Sequence, residues 1–212
     1  MEQIVGYFEF LMRGGFMMYP LLLSGFVSLV VIIDRFLLLS KKLVTPRKLL
    51  GEILEFIQKG NFVEAERLAS PSDSPVLDVL VAGVRDPGAP IEELEIAMQN
   101  RAELWLPVIE KRLDLLDTII TAAPLMGLLG TITGMMSSFR ILSEKGVNEP
   151  MALTGGVAEA LIATATGLVI ALLTLVAYNT LNQKVKSLIF EMENGAARVI
   201  EARKALSRAK SK

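Results

Sequence analysis

Two residue types are absent from this chain of 212 residues: it contains neither cysteine nor histidine. Without cysteine, disulfides and thiolate metal sites are excluded. Without histidine, the commonest proton shuttle and metal ligand is missing as well. We therefore predict no cofactor and no metal site. We also assign no catalytic residue, because the chain offers no plausible pair of nucleophile and base for a hydrolase.

Charge is absent from three long blocks of the sequence. There are 20 uncharged residues between Arg13 and Asp34, 22 between Asp117 and Arg140, and 24 between Glu159 and Lys184. A helix of roughly 20 apolar residues crosses a bilayer core about 30 Å thick, so each block is long enough to span a membrane. Three such helices in a soluble protein of this length would leave too little polar chain to cover them. The predicted fold class is an all-α integral membrane protein with three transmembrane helices and long cytoplasmic helical extensions.

The basic residues indicate the orientation of the chain in the membrane. Lys and Arg number 10 between Lys41 and Arg112 and eight after Gln183, whereas the loop joining the second and third spans has only Arg140 and Lys145. Because basic residues near the ends of spans are retained in the cytoplasm, the amino terminus is expected outside and the carboxyl terminus inside. The predicted segments are an interfacial N-terminal helix at 1–15, spans at 16–39, 114–140 and 156–182, a cytoplasmic loop at 40–113, an outer loop at 141–155 and a cytoplasmic C-terminal helix at 183–212.

The cytoplasmic segments read as helices with ordinary start and stop signals. Gly60 is expected to end one helix, and Asn61 with Glu64 three residues later forms a capping signature for the next. Pro107 should kink or interrupt the long helix that leads towards the second span. The C-terminal helix carries an apolar stripe that we expect to pack either on the loop helices or on a neighbouring subunit. The stripe consists of Val185, Leu188, Ile189, Met192, Ala196, Val199 and Ile200.

The second and third spans carry stripes of small residues that the first span lacks. Gly127, Thr131, Gly134 and Ser138 recur at steps of four, three and four, and Ala160, Thr164, Gly167, Ala171 and Thr174 show a similar spacing. Small residues let membrane helices approach closely, so tight packing explains most of them. The residues that we assign to helix packing or to partner contact are Pro124, Gly127, Gly130, Gly134, Ser138, Ala160, Ala163, Gly167 and Ala171.

Hydroxyl groups are also concentrated in these two spans. The first span has only Ser24 and Ser28, and its Asp34 and Arg35 are expected to anchor its inner end at the lipid headgroups. A lone threonine can return its hydrogen bond to its own helix, so a single one means little. Several in each of two helices suggest instead that spans two and three line an interior pathway.

Glu159 stands at the outer end of the third span, and three interpretations are open. It can be an exposed acid favoured by the dipole at a helix start, a group at the mouth of a hydrated lumen that attracts cations, or a partner of Arg140 or Lys145. Deeper in the second and third spans no side chain titrates near neutral pH. Hydroxyls relay or orient protons but do not hold them. A proton pathway here would need a carboxylate from another chain.

Two stretches of the sequence resemble motifs of the MotA/TolQ/ExbB proton channel family. "AAPLMGLLGTITGMMSSF", residues 122–139, is similar to the family's second-span motif, and "GGVAEALIATATGLVIALLTLVAYN", residues 155–179, is similar to its third. Three spans and modest length resemble the ExbB/TolQ branch more than the flagellar MotA branch.

The resemblance implies an architecture, partners and a location. It implies a homopentamer around a central pore that holds a dimer of ExbD/TolR-like single-span partners, which contribute a membrane Asp. Thr131 and Thr164 match the pore threonines that face this Asp, and Glu159 matches the Glu of the third span. The resemblance further implies a bacterial inner-membrane motor in which proton flow drives a TonB/TolA-like third component. The outer side is then the periplasm.

Other functions are open at this point. The chain could be a membrane scaffold that holds partner helices without conducting, or a TolQ-type envelope-maintenance or gliding motor instead of an ExbB-type import energiser. A secondary transporter is disfavoured because the sequence shows no inverted repeat or pair of broken helices. No nucleic-acid partner is predicted.

Overall fold

The computed structural model describes residues 14–43, 45, 47–70, 73–145 and 150–210, which form helices joined by short turns. The interfacial helix predicted over residues 1–15 lies outside the described residues except for its last two. In chain order the helices are α1 (Met18–Leu37) with a π-helical turn (Leu38–Lys42), α2 (Arg47–Gln58), α3 (Phe62–Ala69), α4 (Pro75–Val84), α5 (Ile91–Ile109), α6 (Leu113–Lys145) and α7 (Pro150–Lys210).

Three helical stretches are long and apolar enough to cross a membrane, as the uncharged blocks predicted. They are Met18–Ser40, Ile91–Glu144 and Thr154–Arg208. The chain divides into two compact units. The span unit comprises residues 14–33 and 112–180, and the loop-tail unit comprises residues 34–111 and 181–210, in each case through the residues that the structure describes.

Pro107 lies inside α5 and does not end it. The helix passes through the proline and stops at Ile109, where the Glu110 N–H still bonds the Leu106 carbonyl oxygen at 2.9 Å. Proline removes one N–H donor but leaves the following donors intact, so the helix continues for two more residues. The chain turns at Arg112, whose φ of 64° is left-handed, and α6 begins at the next residue. The helical path is therefore interrupted at Arg112 and not at Pro107 itself.

The core of the span unit is built from α1, α6 and α7. Its buried residues on α1 are large, and those on α6 and α7 are alanines apart from Ile119, so that the side chains of one helix fill the space left by the others. They are Met18, Leu21, Ile119, Ala123, Ala163 and Ala171.

The loop-tail unit is organised around α4, a short apolar helix. Seven of its ten residues are buried: Pro75, Val76, Leu77, Val79, Leu80, Gly83 and Val84. A polar residue on this helix, Asp78, accepts hydrogen bonds from Arg101 Nε at 2.7 Å and from Trp105 Nε1 at 2.8 Å. Both donors belong to α5, so this carboxylate fixes how α5 lies against α4.

The apolar stripe of the C-terminal helix packs within the same subunit. Val185, Leu188, Met192 and Val199 are buried. An added Cβ at Gly195 would lie 3.2 Å from Leu80 Cδ2, so the tail touches α4. Two surfaces were predicted for this stripe, the loop helices or a neighbouring subunit, and in the structure the stripe packs on the loop helices of its own chain.

The start and stop signals between α2 and α3 are confirmed. Gly60 has a φ of 76°, a left-handed conformation that glycine adopts without strain. The Asn61 side chain accepts a hydrogen bond from the Glu64 N–H at 3.4 Å and so caps α3.

Arg35 does not reach towards headgroups, contrary to the expectation for the end of the first span. Its side chain is 6% exposed, and it donates to the Asp34 carboxylate at 2.8 Å and to the Val108 carbonyl oxygen at 3.2 Å. The Val108 carbonyl lies in the last turn of α5, where carbonyl groups lack helical N–H partners. Arg35 supplies that partner and joins the end of α1 to α5.

Two glycines of the loop-tail unit give a matched test of its packing. Gly51 lies inside α2 with nothing near an added Cβ, whereas an added Cβ at Gly83 would lie 2.9 Å from Val199 Cγ1. We expect Gly51→Ala to stabilise the unit by about 0.5 to 1 kcal/mol through helix propensity. Gly83→Ala should destabilise it by about 1 to 3 kcal/mol through overpacking. Thermal unfolding midpoints in detergent measure both, and equal shifts would contradict the packing of α5 and α7 around Gly83, where an added Cβ would also lie 2.5 Å from Met98 Sδ.

A second glycine pair tests the span unit. An added Cβ at Gly167 would lie 2.5 Å from the Ala123 carbonyl oxygen, but at Gly155, on the same helix, it would meet nothing within 4 Å. Because backbone cannot move aside as a side chain can, Gly167→Ala should lower stability by about 1 to 3 kcal/mol. Gly155→Ala should be neutral or stabilising. Thermal unfolding of the two variants checks this, and indistinguishable midpoints would show that α6 and α7 are not in backbone contact.

Candidate functional site

The candidate site lies where α6 and α7 approach each other within the span unit. An added Cβ at Gly127 would lie 3.0 Å from Thr164 Cα, and one at Gly134 would lie 2.9 Å from the Gly156 carbonyl oxygen. Together with Gly167 against Ala123, these contacts follow an antiparallel register, since positions rise on α6 as they fall on α7. The two backbones touch because glycine occupies the crossing positions.

The remaining residues of the predicted packing set lie on or beside this contact. An added Cβ at Gly130 would lie 2.6 Å from Ala163 Cβ, and one at Gly134 would lie 3.1 Å from Ala160 Cβ. Ser138 is buried and donates its hydroxyl to the Gly134 carbonyl oxygen at 3.1 Å. Ala171 belongs to the buried core of the unit, whereas Pro124 is half-buried within a continuous α6. Whether any of them touches a partner chain stays a prediction.

The first span contributes contacts that the sequence did not single out. An added Cβ at Gly25 would lie 3.2 Å from Ile170 Cδ1, and one at Gly130 would lie 3.5 Å from Met17 Cβ. Gly25 is the one glycine among the large apolar residues of α1. This was the available signal that α1 approaches another helix there.

Most hydroxyls of the spans bond to their own helix. Ser24 and Ser28 on α1, Thr133 on α6 and Thr166 on α7 each donate to a carbonyl three or four residues earlier. This is the local back-bonding available to any serine or threonine in a helix. The concentration of hydroxyls in α6 and α7 is therefore not by itself a sign of a pathway.

Thr164 behaves differently from these residues. Its Oγ1 donates to the Gly127 carbonyl oxygen of α6 at 2.9 Å. Gly127 permits the contact because it has no side chain between the two backbones. Thr164 is half-buried, and its oxygen keeps acceptor capacity after donating its proton.

Thr131 lies one turn along α6 from Gly127. The antiparallel register places it at the level of Ala160 on α7, next to the turn that holds Thr164. Its hydroxyl donates to the Leu128 carbonyl oxygen at 2.6 Å, and its side chain is half-buried. The structure thus brings the two predicted pathway threonines to one helix pair, but it shows no hydrogen bond between them.

Glu159 is half-buried and lies against the segment that leads into α1. An added Cβ at Gly15 would collide with its carboxylate, and Gly15 has a left-handed φ of 74°. Since α7 begins at Pro150, Glu159 lies beyond the first turn in which a helix dipole acts, so that interpretation is wrong. Among the described side chains Glu159 forms no ion pair with Arg140; the side chain of Lys145, its other proposed partner, lies outside them.

The groups that this helix pair offers are hydroxyls, which donate and accept hydrogen bonds but do not hold a proton near neutral pH. Thr131 and Thr164 offer hydroxyl oxygens, and the uncharged lengths of α6 and α7 offer no titratable side chain beside them. Within the described part of the chain, no cluster of three acidic or metal-ligating side chains could hold a metal ion.

Comparison with known proteins shows the family of this chain. The model of the MotA/TolQ/ExbB proton channel family matches residues 71–194, more than half of the chain. An ExbB-like biopolymer transport protein of Synechocystis sp. is 32% identical over 170 residues, covering 79% of this chain and 81% of the relative. An ExbB homologue of Methanothermobacter thermautotrophicus is 27% identical over 200 residues, covering 91% of this chain and 70% of the relative.

A TolQ protein of the Tol-Pal system, from Pseudomonas aeruginosa, is similar over a shorter region. It is 36% identical over 104 residues, covering 49% of this chain and 45% of the relative. Relatives that bear either name are therefore similar to this chain. The chain belongs to the MotA/TolQ/ExbB proton channel family, in its ExbB/TolQ branch.

Proposed function

We propose that this chain is the channel-forming subunit of an inner-membrane motor driven by the proton-motive force. Five copies surround a pore that houses a dimer of single-span ExbD/TolR-like partners, and a TonB/TolA-like component receives the motion. The amino terminus lies in the periplasm and the carboxyl terminus in the cytoplasm. The chain itself has no enzymatic activity in this proposal.

The observation that carries the proposal is the placement of Thr131 and Thr164. Both are half-buried on the α6 and α7 pair, and Thr164 is held by a hydrogen bond that crosses between the helices. No residue between Asp117 and Arg140, or between Glu159 and Lys184, can carry a proton near neutral pH. A carboxylate brought by the partner completes the path, and the threonines orient the proton that it carries.

The surface of the span unit supports assembly with other helices. All three spans expose large apolar side chains. These surfaces suit lipid on one side and further copies or the partner on another. Exposed examples include Phe26 and Leu29 on α1, Leu128 and Met136 on α6, and Leu168 and Leu172 on α7.

The free energy released by one proton as it crosses the membrane limits the size of each step of the motor. Moving one elementary charge through 100 mV releases about 2.3 kcal/mol. A single proton therefore supports a small step, and several steps are combined for envelope work. Biopolymer transport, as the names of the ExbB relatives indicate, and Tol-Pal function are the two candidate outputs.

A non-conducting scaffold is the second candidate function. It is favoured by the local bonding of Thr133, Thr166 and the other hydroxyls, since groups satisfied by their own helix need no proton to relay. Measured proton flux separates the two functions.

Removing the two hydroxyls tests the pathway. In liposomes that contain the complex purified with its single-span partner, Thr131→Val and Thr164→Val should each lower proton flux about tenfold to a hundredfold. This is the rate equivalent of one hydrogen bond to a charged group, worth about 1.5 to 3 kcal/mol. Valine keeps the branched shape and removes only the hydroxyl.

Thr133→Val and Thr166→Val are the matched controls and should conduct normally. Unchanged flux in both test variants would exclude the pathway and favour the scaffold.

Neutralising Glu159 tests its place at the mouth of the pathway. Glu159→Gln should reduce proton flux at low salt, and the reduction should shrink as salt screens the lost charge. Glu144→Gln, which removes an exposed acid near the end of α6, is the control for a general surface-charge effect. If the two variants respond to salt in the same way, Glu159 has no special role at the mouth.

A further inference from the structure

The loop-tail unit contains a cavity that the proposed proton pathway does not use. It measures about 600 Å³ and lies between the start of α3, the turn before α5 and the last turns of α7. Pockets for small molecules have volumes of about 300 to 1,000 Å³. The three segments that form the cavity are distant in sequence, so a ligand bound there would link them.

One charged side chain lines the cavity, and it is buried. Arg203 is 9% exposed, and its guanidinium lies 4.9 Å from the centre of the Phe62 ring. Its Nη2 donates to the carbonyl oxygens of Asp86 at 3.3 Å and Ala89 at 3.2 Å. These are the hydrogen bonds that it makes to described residues, and they leave the donors at Nε and Nη1 for another acceptor.

The charge of Arg203 is not balanced by the wall of the cavity. No carboxylate is among the described lining residues; that of Asp86, on the same turn, accepts from the Gly88 N–H at 2.9 Å and not from Arg203, and carbonyl oxygens carry only partial charge. A buried charge without a counter-charge is costly, so an anion at this position would be favoured.

The rest of the wall is largely apolar. Val63, Pro87, Pro90, Ile91 and Leu206 present hydrocarbon surface to the cavity. A ligand that matches this wall needs an apolar body as well as an anionic head. An inorganic anion would leave most of the cavity empty.

We propose that this cavity binds a monoanionic carboxylate with an apolar body. The carboxylate accepts a charge-assisted hydrogen bond from Nε or Nη1 of Arg203, the donors that remain because Nη2 is bonded to the Asp86 and Ala89 carbonyl oxygens. A dianionic phosphate would bring one charge more than the single guanidinium balances. The apolar body lies against Pro90 and Leu206. The carboxylate can come from a free organic acid or from the carboxyl terminus of a peptide.

Binding to the full chain in lipid nanodiscs tests the proposal, with empty nanodiscs as the blank. The probes are 3-phenylpropionate, its neutral amide 3-phenylpropionamide, and the dipeptide N-acetyl-alanyl-phenylalanine with a free carboxyl terminus. Calorimetry should show saturable binding of one carboxylate per chain and binding of the amide that is about tenfold weaker or more. The tighter of the two carboxylates identifies the source.

Variants at the cavity distinguish this site from binding elsewhere. Val63 is 77% exposed, so Val63→Trp should obstruct the cavity, weaken binding about tenfold and leave the unfolding midpoint unchanged. Arg203→Lys keeps the charge but loses the guanidinium donors at Nε and Nη1, and it should also weaken binding. Arg208→Gln, an exposed cation of the same helix, is the control and should bind normally. The proposal is overturned by absence of saturable binding, by equal affinity for acid and amide, or by unchanged affinity in Val63→Trp.

Discussion

The close approach of α6 and α7 is the constraint on which the rest of the span unit depends. Lipid tails are as apolar as leucine, so helices in a membrane gain little from hiding apolar side chains and associate through tight packing. Gly127, Gly134 and Gly167 each bring backbone against backbone. The same approach brings the Thr164 hydroxyl within 2.9 Å of the Gly127 carbonyl oxygen. Packing and candidate chemistry therefore share one surface, and a larger residue at any crossing would displace the hydroxyls together with the helices.

The two units satisfy their polar groups in different ways. In the span unit most of the described hydroxyls bond to their own helix, which suits a segment that lipid surrounds. In the loop-tail unit, charged side chains bond across elements: Arg35 to the Val108 carbonyl, Arg101 to Asp78 and Arg203 to the turn before α5. Such bonds fix how separate helices meet. The charged residues of the loop are therefore part of its internal structure and are more than a solvated, basic face that sets orientation.

Some of these features could be predicted from the sequence and others could not, and the reason is physical. Periodicity identifies which residues share a helix face, so the three spans, the small-residue stripes and the apolar stripe of the tail could be predicted. Periodicity does not fix the register between two helices. The hydrogen-bond acceptor of Thr164 and the contact of Glu159 with Gly15 therefore could not be predicted from the sequence. Arg35 was misjudged because a cation near a span end has headgroups as its default partner. Its actual partner, the Val108 carbonyl oxygen at the end of α5, is brought next to Arg35 only when the chain folds.

In the proposed assembly, the uncharged blocks 118–139 of α6 and 160–183 of α7 contain no group that titrates near neutral pH, and this keeps the chain closed when it is alone. A charge at the centre of a bilayer costs about 2.5 to 3.5 kcal/mol on insertion scales, and hydroxyls reduce that cost only where they can turn towards the charge. Thr131 and Thr164 provide such groups but cannot hold the proton between steps. The partner's carboxylate carries the proton, and its own negative charge is neutralised when the proton binds. Conduction then depends on the partner being present, which prevents the ring from dissipating the membrane potential before the motor is complete.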